Sequence, residues 1–250
     1  MVLFLAAVFT PSQIPALYLV IVYLIFCEIK YSITKYNSGI CEGVNIAAKK
    51  ATTNYILYAH DDFYFLPDWD EVLLKEVKQI PHNRFYLSGI MMNNGPLKYD
   101  CGSSLDNFDE KKLLRNFRNI NHFDFQGSTW APHLIHKDLW NKVGGFSEEF
   151  YPGTGSDPDL NMKLWKEGVR IFKGLSKCLV FHFGSVVTRR SNIETNFKTE
   201  SGNKGNKIFL LKWGMSIKFF KKYYLKSDIQ YTDKLSAPKK DIKFLFNLFF

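Results

Sequence analysis

The residues best suited to chemistry are a neighbouring carboxylate pair, Asp61 and Asp62, a second pair, Asp157 and Asp159, and the histidine His182. Each follows or opens a recognisable element. Tyr55-Ile-Leu-Tyr-Ala-His-Asp-Asp62 is a strand-like run that ends in acids. Gly153-Thr-Gly-Ser-Asp-Pro-Asp-Leu160 places acids at a helix start, and Phe181-His-Phe-Gly184 offers an imidazole after another strand. An open α/β sheet gathers its ligands beyond the carboxyl ends of its strands. Acids and a histidine meeting there suit a divalent cation that holds a phosphorylated ligand. A plainer reading stands beside this one. Aspartates also cap loops, and acids in a first helical turn offset the helix dipole.

Several elements must position these residues. Glu42 to Thr52 is Ala-rich and fits a helix, and Tyr55 to Ala59 fits a buried strand. His60 to Pro67 is a loop. Asp68-Trp-Asp-Glu71 has capping-box spacing and opens a helix that runs to Pro81. Arg84 to Met92 reads as a strand, Asn93 to Asp109 as a polar loop over the site, and Asp109 to Asn119 as a short charged helix. Gly127 to Ile135 reads as a strand, and Lys137 to Val143 as a helix closed by Gly144 and Gly145. Ser156 to Asp159 has the spacing of a second capping box, and Gly168 ends the helix it opens. Val169 to Phe172 and Leu179 to Phe183 complete the strands. Strands alternating with helices imply an α/β fold with a mostly parallel sheet flanked by helices.

The composition narrows the class. A chain of 250 residues, 46% of them hydrophobic, supports one substantial core. Its formal net charge of +9 suits an anionic partner. No nucleic-acid-binding signature is present, so no nucleic-acid partner is expected. The four cysteines (Cys27, Cys41, Cys101 and Cys178) are scattered, which implies reduced thiols and a cytoplasmic location. Residues 1–30 form an apolar segment without charge as far as Cys27, interrupted by Pro11 and Pro15. It is long enough for a membrane anchor on the cytoplasmic side. A buried element of a displaced domain start fits equally. From 204 to 250 the chain is a basic, aromatic tail. It suits either an anionic membrane surface or a helix docked onto the sheet.

Further motifs sharpen the picture. Asn37-Ser-Gly-Ile-Cys-Glu-Gly-Val-Asn-Ile-Ala-Ala-Lys-Lys-Ala51, the His-Asp-Asp62 strand end, Leu66-Pro-Asp-Trp69, Lys142-Val-Gly-Gly-Phe-Ser-Glu-Glu-Phe150, Ser156-Asp-Pro-Asp-Leu160 and His182 occur in order. Together they resemble the family 2 glycosyltransferases, which have the nucleotide-sugar-binding GT-A fold, over residues 37–188. The departures are His-Asp-Asp in place of the family's D-x-D, Ser156 in place of the usual Glu, and a start too short for the family's base-binding strand–helix–strand unit. The fold expected is therefore GT-A-like but incomplete at its N-terminus, with residues 31–203 as the catalytic domain.

The resemblance implies transfer of a sugar from a nucleoside-diphosphate sugar to an acceptor hydroxyl, with inversion, in polysaccharide or glycoconjugate synthesis. The acceptor would be a glycan or a lipid-linked molecule. Asp62 and His182 would hold Mn or Mg, the mixed oxygen and nitrogen set leaning to Mn. Asp61 would ligate as well or contact the donor ribose. Asp157 would be the general base, although a helix N-terminus lowers an acid's pKa. Gly155 would let backbone approach ligand. Trp130 offers a face for a sugar ring, although tryptophan in such a place is more often core. Arg189 and Arg190 would pair with the diphosphate or form a solvated turn. His133 and His136 lack zinc-type neighbours and read as structural. Two rival readings are a truncated, inactive relative and a membrane-anchored binding module.

Overall fold

The computed structural model describes residues 5–9, 29–35, 38–102, 105–184, 194–242 and 244. Eight strands run in chain order: β1 (Leu5–Phe9), β2 (Ile29–Ile33), β3 (Tyr55–Tyr58), β4 (Phe63–Phe65), β5 (Phe85–Asn93), β6 (Phe125–Gln126), β7 (His133–His136) and β8 (Ile171–His182). The helices are α1 (Gly39–Lys49), α2 (Trp69–Gln79), α3 (Glu110–Asn116), α4 (Lys137–Val143), α5 (Ser156–Lys166), α6 (Glu194–Trp213) and α7 (Ile217–Phe220).

The central sheet has six strands in the order β3-β7-β5-β8-β4, with β6 also paired to β8. The α/β class with flanking helices agrees with the sequence, but the sheet is mixed rather than mostly parallel. Only β5 and β8 pair in parallel there; β3–β7, β5–β7, β4–β8 and β6–β8 are antiparallel. The cause is β7. It inserts between β3 and β5 against both, which strand–helix alternation along the sequence cannot reveal. β1 and β2 form a separate parallel pair, so Leu5–Phe9 of the apolar start is a strand.

Several boundaries differ from the sequence reading. The two strands expected at 169–172 and 179–183 are the single β8. The β5–β8 register shifts between Ser88 and Ile90, and this irregularity absorbs the Gly174–Ser176 interruption. The strand expected over 127–135 reduces to β7, because cis Pro132 and the turn at Gly127 bend the chain before it. The loop after His60 contains β4. Neither capping box forms. Asp68 adopts a left-handed conformation, and its carboxylate takes Arg118 at 2.7 Å instead of a helix N–H. Ser156 lies inside α5 and donates to the Gly153 carbonyl.

The main core packs helices α1, α4 and α5 against one face of the sheet through Ile135, Trp140, Phe146, Leu160, Leu164 and Phe172. The basic tail joins this core. Phe209, Phe220 and Leu225 are completely buried in it, so the tail docks onto the domain through its aromatic face. Truncating one such Phe to Ala removes packing worth about 3–5 kcal/mol. No helix among the described residues is long and apolar enough to cross a membrane.

Candidate functional site

Antiparallel pairing of β4 with β8 sets Phe63 opposite His182. The Phe183 N–H donates to the Asp62 carbonyl at 3.1 Å, which fixes the preceding turn. Asp62 Oδ2 then lies 3.2 Å from His182 Nε2, and Asp62 Oδ1 lies 3.9 Å from His60 Nδ1. One ligand atom each from His60, Asp62 and His182 falls within 4.8 Å of the others. Asp62 and His182 are thus brought together. Asp61 is exposed and is not part of the cluster, although its carboxyl feels the charge of Asp62. Sequence reasoning missed His60. The clue was its position two residues before Asp62, where a turn returns both side chains to one side.

The ring orientations are set by aromatic packing. His60 stacks on Phe63 with centroids 4.8 Å apart and meets Tyr58 edge-on at 5.2 Å. Phe63 also meets His182 edge-on at 4.9 Å. His182 Nδ1 is 2.9 Å from the Asn94 carbonyl. A carbonyl only accepts, so Nδ1 carries the proton and Nε2 presents its lone pair toward Asp62. This arrangement, in which the outer nitrogen is held by a carbonyl, is how proteins orient ligating histidines. Burial lowers the His60 pKa to about 4, against the raising influence of Asp62, so the ring is neutral at neutral pH. Two imidazoles and a carboxylate converging on one side would fit a divalent cation.

Asp157 stands in the first turn of α5. The helix dipole was expected to lower its pKa. Instead desolvation dominates and pushes it up to about 7, its own backbone N–H offsetting only part. Its Oδ1 is buried and has no hydrogen-bond partner among the described residues. Asn161, one turn later on the same face, is likewise unpaired at both polar atoms, although it lies against the Tyr86 hydroxyl. Tyr86 donates to the Trp130 carbonyl at 3.2 Å and meets His133 Nδ1 at 2.9 Å. Tyr58 links the two clusters. Its ring packs on His60, and the charges of Asp157, Asp61 and Asp62 all raise its hydroxyl pKa after desolvation does. Tyr58, Tyr86 and Asn161 were also missed, because their apolar or helical neighbours read as ordinary core.

Asp159 does not cap its helix. It is completely buried and accepts from Ser147 Oγ and from Trp213 Nε1 at 2.8 Å, with Lys212 Nζ at 3.0 Å. It is the pin between α5 and α6. Gly155 precedes α5 at φ +89°, and a side chain there would strike Phe150 and the Gly205 carbonyl. Its smallness serves packing. Trp130 is half-buried, and its indole N–H donates to the Gly89 carbonyl at 2.8 Å. Arg189 and Arg190 lie outside the described residues. His133 is buried, with its pKa lowered to about 3 by desolvation, and His136 caps α4 through Asp138 N–H. Both are structural, as their spacing implies. Cys41, Cys101 and Cys178 are free and buried.

The mixed sheet with flanking helices, with acids and histidines at its strand ends, has the GT-A fold. Solved structures agree on the fold. The chain matches the crystal structure of S. aureus TarS 1–349 with 17% identity and a TM-score of 0.50, covering 82% of this chain and 62% of that one. It matches the structure of S. aureus TarS with 16% identity and a TM-score of 0.50, covering 82% of this chain and 38% of that one. The chain therefore spans about three fifths, or less, of the structures it matches. Residues 24–133 match the family model described as glycosyl transferase family 2. No curated protein matches the chain significantly.

Proposed function

We propose that this chain transfers a sugar, hexosyl or related, from a nucleoside-diphosphate sugar to an acceptor hydroxyl, with inversion, in polysaccharide or glycoconjugate synthesis. The observation that carries this reading is the convergence of His60, Asp62 and His182 beside Tyr58, with the desolvated acid Asp157 near enough for its charge to act on the Tyr58 hydroxyl. His60, Asp62 and His182 would hold a divalent cation, Mn or Mg, and that cation would supply positive charge to offset the leaving diphosphate. Asp157 takes the proton from the acceptor hydroxyl as that oxygen attacks the anomeric carbon. A base poised near neutrality both accepts the proton and releases it afterwards. One base and one displacement invert the anomeric centre.

In this reading Asp61 contacts the donor ribose, and the exposed face of Trp130 receives a sugar ring. Arg189 and Arg190 pair with the diphosphate, and the turn at Gly155 sets the base. Residues 31–203 form the catalytic domain and residues 204–250 a docked tail. The acceptor is a glycan or a lipid-linked molecule, and the enzyme works on the cytoplasmic side of the membrane. Donor turnover with a panel of nucleotide sugars and Mn, with and without acceptor extract, tests the proposal. Metal-dependent release of a nucleoside diphosphate from one donor is expected. No turnover of any donor would favour an inactive relative that keeps the fold.

A further inference from the structure

We infer that the outward face of α6 is a docking surface for an anionic lipid bilayer. From Lys204 to the end of α6 the chain holds three lysines and no acid; Lys212 is paired with Glu149 and Asp159, which leaves Lys204 and Lys207 as the charge of the outer face. The inner side of this segment is fixed. Phe209 is completely buried, and Gly205 sits so tightly on Thr154 that a side chain there would strike the Thr154 carbonyl. The outer side therefore cannot turn inward. It carries Lys204, Lys207, Leu210 and Leu211, spaced three and four apart on one helical face. Leu210 is 48% exposed and Leu211 is 75% exposed.

Two adjacent leucines held out from a rigid helix, within a basic surface, match what an anionic membrane interface binds. Apolar side chains enter the acyl boundary while lysines meet the headgroups. Charge decides among occupants, because a second copy of this chain would set lysine against lysine on this face. Lys207 has no acidic partner among the described residues, so its charge is available. Among the described residues Lys204 reaches the Tyr151 carbonyl, at 3.4 Å, and no acid. Because α6 rests on the turn that leads into α5, binding here holds the Asp157 end of the domain beside the lipid surface.

The test is co-sedimentation of the full chain with vesicles of phosphatidylcholine alone and of phosphatidylcholine with one part in three phosphatidylglycerol. Three proteins are compared: wild type, Lys204→Glu/Lys207→Glu and Leu210→Ser/Leu211→Ser. The residues 1–30 are common to all three, so differences report this face. Each lysine near an anionic surface contributes enough that the charge-reversed protein should lose about tenfold or more in affinity for anionic vesicles. The loss should disappear at high salt, where wild-type binding also weakens. The leucine variant should lose affinity with its melting temperature unchanged, since both side chains are exposed. Equal binding of all three proteins, or equal binding to both vesicle types, overturns the inference. So does light scattering that shows a wild-type dimer broken by the leucine variant, which would make the face a contact between copies. Donor turnover in solution is independent of this outcome.

Discussion

At the residue scale, Asp157 makes the sharpest claim. Its pKa stands at about 7 in the folded chain, against about 3.9 in an unfolded one. The folded state therefore binds the proton more tightly, and stability falls as pH rises from about 4 to about 7. Asp157→Asn removes this loss. The variant should gain on wild type as pH is raised, by about 1 kcal/mol or more near pH 8, measured by urea denaturation across that range. Transfer by wild type should rise with pH through about 7, as the base loses its proton. Transfer by the Asn variant should fall about 10²-fold or more, with donor binding retained. A variant that transfers normally, or whose stability tracks wild type at every pH, contradicts the assignment. The acid itself was legible in Ser156-Asp-Pro-Asp159. Its raised pKa was not, because desolvation depends on what the fold packs around it, Tyr58 and Tyr86 among its neighbours, and a helix-start rule considers only the dipole.

At the element scale, the pin between α5 and α6 carries the structure of the tail. Asp159 is buried with Lys212, Trp213 and Ser147 as partners. Asp159→Ala leaves a lysine and an indole facing an empty site and should cost about 3–5 kcal/mol, read by urea denaturation. Trp213→Phe removes the 2.8 Å hydrogen bond and part of the ring over which Lys166 and Lys212 lie, and should cost about 1–3 kcal/mol. If both variants unfold like wild type, α6 is held by Phe209 and its neighbours alone. The helices and most strands could be read from periodicity, as Lys137–Val143 and the helix after Asp68 demonstrate. β4 escaped because Phe63-Tyr-Phe65 is too short to show a period, and it is the element that sets Asp62 against His182.

At the scale of the whole molecule, the α/β class and the GT-A character were legible in the order of the motifs. The pairing of β7 between β3 and β5 was not, since antiparallel insertion depends on long-range contacts. The same distinction explains the site. Asp62 and His182 stand out as strand-end residues, but His60 becomes a partner only once β4 and β8 pair and Phe63 orients its ring. The central claim is that this fold builds a metal-dependent nucleotide-sugar site from His60, Asp62 and His182. Calorimetric titration of a nucleoside diphosphate, with and without Mn, into wild type and the variants His60→Ala, Asp62→Ala and His182→Ala tests it most directly. The account predicts binding by wild type that requires Mn and is weakened at least about tenfold in each variant, with melting temperatures close to wild type. Mn-dependent binding left intact in all three variants would contradict it.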